Sequence, residues 1–346
     1  MIAFVKKHPN YAAALAGLLG VVLLFCAAEG IAFLLLAASG SATGLEWDRG
    51  KLGEADPLLG ARPRPDCQVR AVTTGPEGVV YECVYTIDAL HRRVTPVEIP
   101  ETRKQFALFF GCSFAFGEGV NDAETLPARF AACAPDFMPY NYGYLAYGPQ
   151  HMYLQVQRPE FQNEIARPKG IAVYTFINDH LRRATGSLRF VAGWGRNLPD
   201  VTIEGEALVS HGTFGESRPL QYAMGWMMNR SNLFTLMGWD YPPHTSPKAY
   251  ALVAALCSAS ARRLNELFPG TDFYVLIYPR SMDGLPLIPL LDAAGIKTLD
   301  YSRLLEDVSM PESSLFYADG HPTAFTQRLV AERLAADLAG RIAVPQ

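Results

Sequence analysis

The sequence has no excess of basic residues. Its 30 Lys and Arg are outnumbered by 34 Asp and Glu, giving a formal net charge of −4 and a pI near 6.0. That balance lacks the electrostatic footprint of a nucleic-acid binder. Clustered metal ligands are also missing. Six cysteines, Cys26, Cys67, Cys83, Cys112, Cys133 and Cys257, are scattered along the chain. None forms a CxxC or a Cys/His group at zinc spacing, so no metal and no cofactor is expected. There is no internal repeat and no low-complexity tract, which argues against a solenoid or a disordered tail. What remains is a chain of 346 residues, 49% of them hydrophobic. It is long enough for one large α/β domain with additions.

The longest apolar run lies at the N-terminus. Tyr11 to Ala38 is interrupted by a single charge, Glu29, with Lys6 and Lys7 before it and Glu46, Asp48, Arg49 and Lys51 after it. About 20 apolar residues span a bilayer, and a basic N-terminal flank places that end in the cytoplasm. Residues 1–42 therefore read as a single-pass anchor in a cell inner membrane, with the rest of the chain on the extracytoplasmic side. A cleaved signal peptide is the competing reading. Its apolar core is normally about 7–15 residues, shorter than this one, although Ala38, Gly40 and Ala42 would suit cleavage. A span ending near Ala28 would put Glu29 at the lipid–water boundary and Ile31–Leu36 in a short interfacial helix. The alternative buries Glu29 as a functional or partner-contacting charge, at a cost of a few kcal/mol.

Residues 43–104 are rich in Pro and Gly and read as a linker with a small extended module. Val79–Tyr81 and Val84–Ile87 are short strand candidates, and Thr73–Gly78 resembles a hairpin turn. Outside the cytoplasm Cys67 and Cys83 can pair, closing a loop worth about 3 kcal/mol in the chain-entropy model. Two free thiols remain the open alternative, because spacing does not fix geometry.

From residue 105 strands and helices alternate. Strands are expected at Phe106–Phe110, Met138–Tyr142, Ile171–Ile177, Phe273–Tyr278 and Lys297–Tyr301. Helices are expected at Gln150–Gln157, Ala249–Leu267 and Ala324–Ala339. This predicts an α/β three-layer sandwich with a mostly parallel, flavodoxin-like sheet over residues 105–346. Residues 181–246 break the alternation and read as an insertion covering the carboxyl edge of the sheet. Trp194, Trp226 and Trp239 are expected in its core, given the usual burial of tryptophan.

Polar residues stand where such a sheet places its chemistry, outside the carboxyl ends of strands. Ser113 follows the first strand in GCSF. Asn141-Tyr142-Gly143 follows the second, and Phe176-Ile177-Asn178-Asp179 the third. Asp319-Gly320-His321-Pro322 precedes the last helix. A hydroxyl, an imidazole, a carboxylate, an amide and a glycine N–H are the inventory for acyl transfer through a serine ester. His180, Arg182 and Arg183, beside Asn178, are candidates for holding an anionic substrate group. Cys112, next to the hydroxyl, reads as a small buried residue rather than a redox centre.

The four blocks together resemble the SGNH (GDSL-type) hydrolase family. That resemblance implies Ser113 as nucleophile, His321 as base and Asp319 as its orienting acid. It also implies an oxyanion hole made by Ser113, Gly143 and Asn178. The sequence departs from the family pattern at three places. Cys112 stands for an Asp, Phe176 for a Gly, and Asp319 lies two residues before His321 instead of three. The implied activity is a serine esterase or acyl hydrolase acting on ester-bearing carbohydrate or lipid outside the membrane. An O-acetyltransferase on an extracytoplasmic polysaccharide is one alternative. A weakly active, membrane-tethered binding or scaffold protein is another, since a fold does not dictate function.

Overall fold

A computed structural model describes residues 9–38 and 44–342. Lys6 and Lys7, and the small residues Gly40 and Ala42, lie outside the described residues. The first element, α1 (Pro9–Ala38), is one uninterrupted helix. It does not stop near Ala28 and restart as a short interfacial piece: no Pro follows Glu29, and the single Gly30 is carried within the helix by apolar neighbours. Ala13–Ala38 is long and apolar enough to cross a membrane, and little of it is buried against the rest of the chain.

Five short strands follow: β1 (Glu46–Asp48), β2 (Gly53–Asp56), β3 (Gly60–Pro63), β4 (Cys67–Gly75) and β5 (Gly78–Ile87). β2 pairs with β3, and β1, β4 and β5 form an antiparallel sheet in the order β1-β4-β5. The two strand candidates at Val79–Tyr81 and Val84–Ile87 are one continuous strand. Its inward residues Tyr81, Cys83, Tyr85 and Ile87 are buried and its outward ones are polar or exposed, the period-2 pattern of a half-buried strand. The register excludes the Cys67–Cys83 bridge. Cys67 faces Ile87 and Cys83 faces Ala71, four positions further along the ladder. That offset is on the order of 13 Å at strand rise, against Cα separations of about 4.4–6.8 Å in disulfides. Both thiols are free, and Cys67 donates to the Arg64 carbonyl.

The main sheet has the strands β6 (Gln105–Phe110), β7 (Phe137–Asn141), β8 (Gly170–Phe176), β11 (Asp272–Ile277) and β12 (Lys297–Asp300) in the order β12-β11-β8-β6-β7. All its pairings are parallel. Taken in chain order this is 2-1-3-4-5, the flavodoxin-like arrangement, with the topological switch between β6 and β8. Both faces are covered. Phe106, Leu108 and Phe110 of β6 join the core under α4 (Pro149–Gln157) and α10 (Pro247–Leu267). Ala107 and Phe109 join the core under α3 (Leu126–Cys133) and α13 (Ala324–Ile342). Burial on two faces explains why β6 reads as a continuous apolar run.

Arg93 fastens the N-terminal module to this sheet. It is almost fully buried, and its guanidinium donates to the carbonyls of Val84, Phe116, Gly117 and Val120 and to Asp122. A buried charge is tolerated only when its donors are satisfied in this way.

The stretch after β8 holds α5 (Asp179–Thr185), α6 (Leu188–Ala192), the hairpin β9 (Pro199–Glu204) and β10 (Ala207–Thr213), then α7 (Phe214–Ser217), α8 (Pro219–Met228) and α9 (Asn232–Met237). Its own core is small: Phe190, Val191, Leu198 and Phe214. The tryptophans are not part of it. Trp194, Trp226 and Trp239 are 50%, 44% and 47% exposed. The short helices give too little buried volume to enclose them.

The thiol assignment is directly checkable. Alkylation of the denatured, unreduced protein should modify Cys67 and Cys83 separately; recovery of a Cys67–Cys83 linked peptide would contradict the register.

Candidate active site

Ser113 opens a single helical turn, α2 (Ser113–Phe116), at the carboxyl end of β6. The turn into it is made by Gly111, whose φ of 144° is disfavoured for residues with a side chain. A Cβ there would also lie 3.0 Å from the Thr175 carbonyl and 3.1 Å from the Ala115 Cβ. Cys112 takes an extended conformation and packs, fully buried, into the core, so the turn forms without an Asp at that position.

His321 arrives from the loop between α12 (Glu312–Leu315) and α13. Its Nε2 lies 2.9 Å from Ser113 Oγ, across 208 residues of sequence. Its Nδ1 lies 2.9 Å from Asp319 Oδ2, while Asp319 Oδ1 accepts the His321 backbone N–H at 3.1 Å. The two-residue spacing therefore suffices. The carboxylate turns back on its own loop in an Asx-type bond and holds ring and backbone together. Phe114 packs against the imidazole, ring centres 5.7 Å apart.

A second carboxylate, unremarked in the sequence reading, reaches the same ring. Glu118 follows the single turn of α2 and is 2% exposed. Its Oε2 lies 3.1 Å from His321 Nε2, on the side facing Ser113. Its Oε1 accepts from Arg49, with Nε at 2.8 Å, and from the Tyr81 hydroxyl at 3.4 Å. Arg49 lies just past β1, and Trp47 of β1 approaches Asp319 Oδ2 through Nε1 at 3.5 Å. The N-terminal module thus touches both carboxylates. The available signal was an acid five residues past the serine in an otherwise apolar, glycine-rich segment. The reach of Arg49 and Trp47 had no sequence signal.

The electrostatics follow from these contacts. Burial alone would lower the His321 pKa, but the bonds to Asp319 and Glu118 outweigh it and raise the value to about 10. Burial would raise both acids, yet contact with His321 holds each below its ordinary carboxylate value. The two carboxylates therefore favour the protonated ring between them. Burial, followed by the charge on Glu118, pushes the Tyr81 phenol upward, so it stays a donor.

Ser113, His321 and Asp319 open onto a cavity of ≈ 940 Å³ that also involves Phe114, Asn178, Arg183 and Arg280. Asn178 Oδ1 accepts the Asp283 backbone N–H at 3.0 Å, which leaves the amino end of the amide for the cavity. Gly143 is placed differently from expectation. Its N–H donates to Asn141 Oδ1 at 3.0 Å, and it does not line the cavity. Its lack of a side chain is needed for close approach: a Cβ would lie 2.7 Å from Phe116 N and 2.8 Å from Ala115 Cβ. Asn141 completes that clamp by donating to the Ala115 carbonyl at 3.0 Å.

The three residues beside Asn178 part company. His180 is fully buried, with Nδ1 2.7 Å from the Tyr174 hydroxyl, and burial followed by the Arg183 charge holds its pKa well below the ordinary value. The first turn of α5 rotates it into the core, so it cannot meet a substrate. Arg182 does not line the cavity; it pairs with Asp179, which does. Arg183 lines the cavity, but it also pairs with Asp179 and donates to the Tyr147 carbonyl. Among the described residues no group of three or more His, Cys, Asp or Glu is placed to hold a metal ion.

No family model and no curated protein sequence matches the chain. Several solved structures are similar to it. A lipolytic protein of the G-D-S-L family from Veillonella parvula is 11% identical, covering 68% of this chain and 99% of its own, with a TM-score of 0.37. A family two carbohydrate esterase from Clostridium thermocellum, solved with cellohexaose, is 9% identical over 79% of this chain and 75% of its own, with a TM-score of 0.40. An acetylxylan esterase from Geobacillus stearothermophilus is 12% identical over 70% of this chain and 95% of its own, with a TM-score of 0.37. With TM-scores below 0.5, the functional reading stays with the geometry of the site itself.

The double carboxylate makes a specific prediction. The rate at which Ser113 reacts with a fluorophosphonate should climb with pH toward about 10, as the imidazolium loses its proton. Removing one negative neighbour lowers the ring pKa, so Glu118→Gln should move that limb to lower pH. An unchanged limb in the variant would show that Glu118 does not govern the ring.

Proposed function

We propose that this chain is a serine hydrolase of the SGNH type that cleaves acyl esters through an acyl-enzyme on Ser113. The observation that carries the reading is the relay Ser113–His321–Asp319, with both contacts at 2.9 Å. A serine hydroxyl is a poor nucleophile until a base takes its proton. His321 in its neutral form is that base, and Asp319 holds the tautomer and stabilises the imidazolium formed. Attack by Ser113 Oγ forms the bond to the acyl carbon and sends the carbonyl electrons onto oxygen. His321 then returns the proton to the leaving alcohol as the C–O bond breaks. Water, deprotonated by the same imidazole, releases the acid. Asn178 Nδ2 and the Ser113 N–H are the two oxyanion donors in this reading, and Gly143 keeps a steric role.

Residues 1–42 serve in this proposal as an inner-membrane anchor, 43–104 as a module bracing the site, and 105–346 as the catalytic domain on the extracytoplasmic face. The substrate would be an ester-bearing carbohydrate or lipid. A sugar hydroxyl in place of water would give O-acetyl transfer from the same acyl-enzyme.

Ser113→Ala should abolish fluorophosphonate labelling and acetyl-ester turnover in folded protein; persistent turnover would remove Ser113 from the mechanism. Asn178→Ala should lower kcat by about 10²–10³ with a smaller effect on KM. An unchanged kcat would remove Asn178 from the oxyanion site.

A further inference from the structure

The exposed tryptophans belong to a patch that the mechanism does not use. From Pro219 to Trp239 the chain carries one charge, Arg230, and its guanidinium lies 3.5 Å from the centre of the Trp226 ring. Within this stretch Leu220, Met224, Trp226, Met227, Met237 and Trp239 are all exposed, Leu220 to 79%. Soluble surfaces rarely leave so contiguous an apolar group uncovered.

The patch is joined to α1. Glu29, the one charge of the apolar helix, accepts from the Ser231 hydroxyl, from the Asn232 N–H at 2.7 Å and from the Leu233 N–H at 3.3 Å. Phe25 and Glu29 line one groove together with Met224, Met227 and Phe234. The level of this junction can be placed along the helix. Ala13–Ala38 comprises 26 residues, about 39 Å at helical rise, against a hydrocarbon core of about 30 Å. Counted from Ala13, Glu29 falls about 24 Å along, inside the far boundary of such a core. The side chains next to it on α1, such as Ile31, Phe33 and Leu34, are exposed and apolar.

We infer that α8 and α9 form a membrane-docking element that lies in the outer interface of the bilayer beside the anchor. The inference rests on α1 being a membrane span. The occupant is lipid because the patch continues the lipid-facing surface of α1 at the same depth. Tryptophan and an arginine tucked over its ring suit the interfacial zone. The three donors to Glu29 satisfy a carboxylate that the bilayer would otherwise penalise. Docked this way, the catalytic domain is held at the membrane by two elements instead of swinging on one tether.

The test uses the full chain in phosphatidylcholine–phosphatidylglycerol nanodiscs containing a diazirine-acyl phosphatidylcholine. After irradiation, lipid adducts should map to residues 220–239 as well as to 13–36. Adducts confined to 13–36 would overturn the docking element and leave the anchor standing. Adducts on neither segment would overturn the anchor itself. In nanodiscs of brominated phosphatidylcholine, tryptophan emission should be quenched at least twofold more in the wild type than in W226F/W239F. Equal quenching, or chain-to-chain cross-links through 220–239 in discs holding two copies, would assign the patch to protein instead of lipid.

Discussion

One imidazole organises the site. His321 is held on one side by Asp319 and on the other by Ser113 and Glu118, at separations of 2.9–3.1 Å. Everything around it fixes those contacts. β6 and its Gly111 turn present the hydroxyl, and the Asp319 loop folds back on itself to grip the ring. The N-terminal module supplies Arg49, Tyr81 and Trp47 to the carboxylates. Arg93, donating to the carbonyls that end α2, ties that module to the Ser113 turn. The imidazole is therefore held by segments that precede and follow the parallel sheet in the chain.

That tuning has a sign. Because His321 is raised in the folded state, its proton stabilises the fold below the ordinary imidazole range. The contribution is lost as pH climbs through about 10. The same interaction that steadies the loop keeps the proton on the ring. A group that releases Glu118 from the ring, whether substrate or solvent, would free it. Arg49, already bonded to the other oxygen of Glu118, is placed to receive that carboxylate.

The strands were legible because β6, β8 and β11 are buried on two faces and read as unbroken apolar runs. The meeting of Ser113, Asn178 and His321 at one rim followed from their order along a parallel sheet. Other features turn on contacts no pattern encodes. Gly143 looked like a donor, yet its N–H is taken by Asn141. His180 adjoins Asn178 in sequence, but helical rotation carries it into the core. Glu118 stood in plain view, five residues from the serine. Its role depends on α2 ending after one turn so that the chain doubles back. Cys67 and Cys83 were separated by ladder register, which spacing alone does not set.

The most direct measurement is the ionisation of that ring. Imidazole ¹⁵N shifts of selectively labelled protein, assigned by loss of the His321→Gln signal and followed from pH 5 to 11, report its protonation without substrate. The account predicts a doubly protonated ring at pH 7 that titrates near 10. A neutral ring at pH 7, titrating near the ordinary imidazole value, would contradict it.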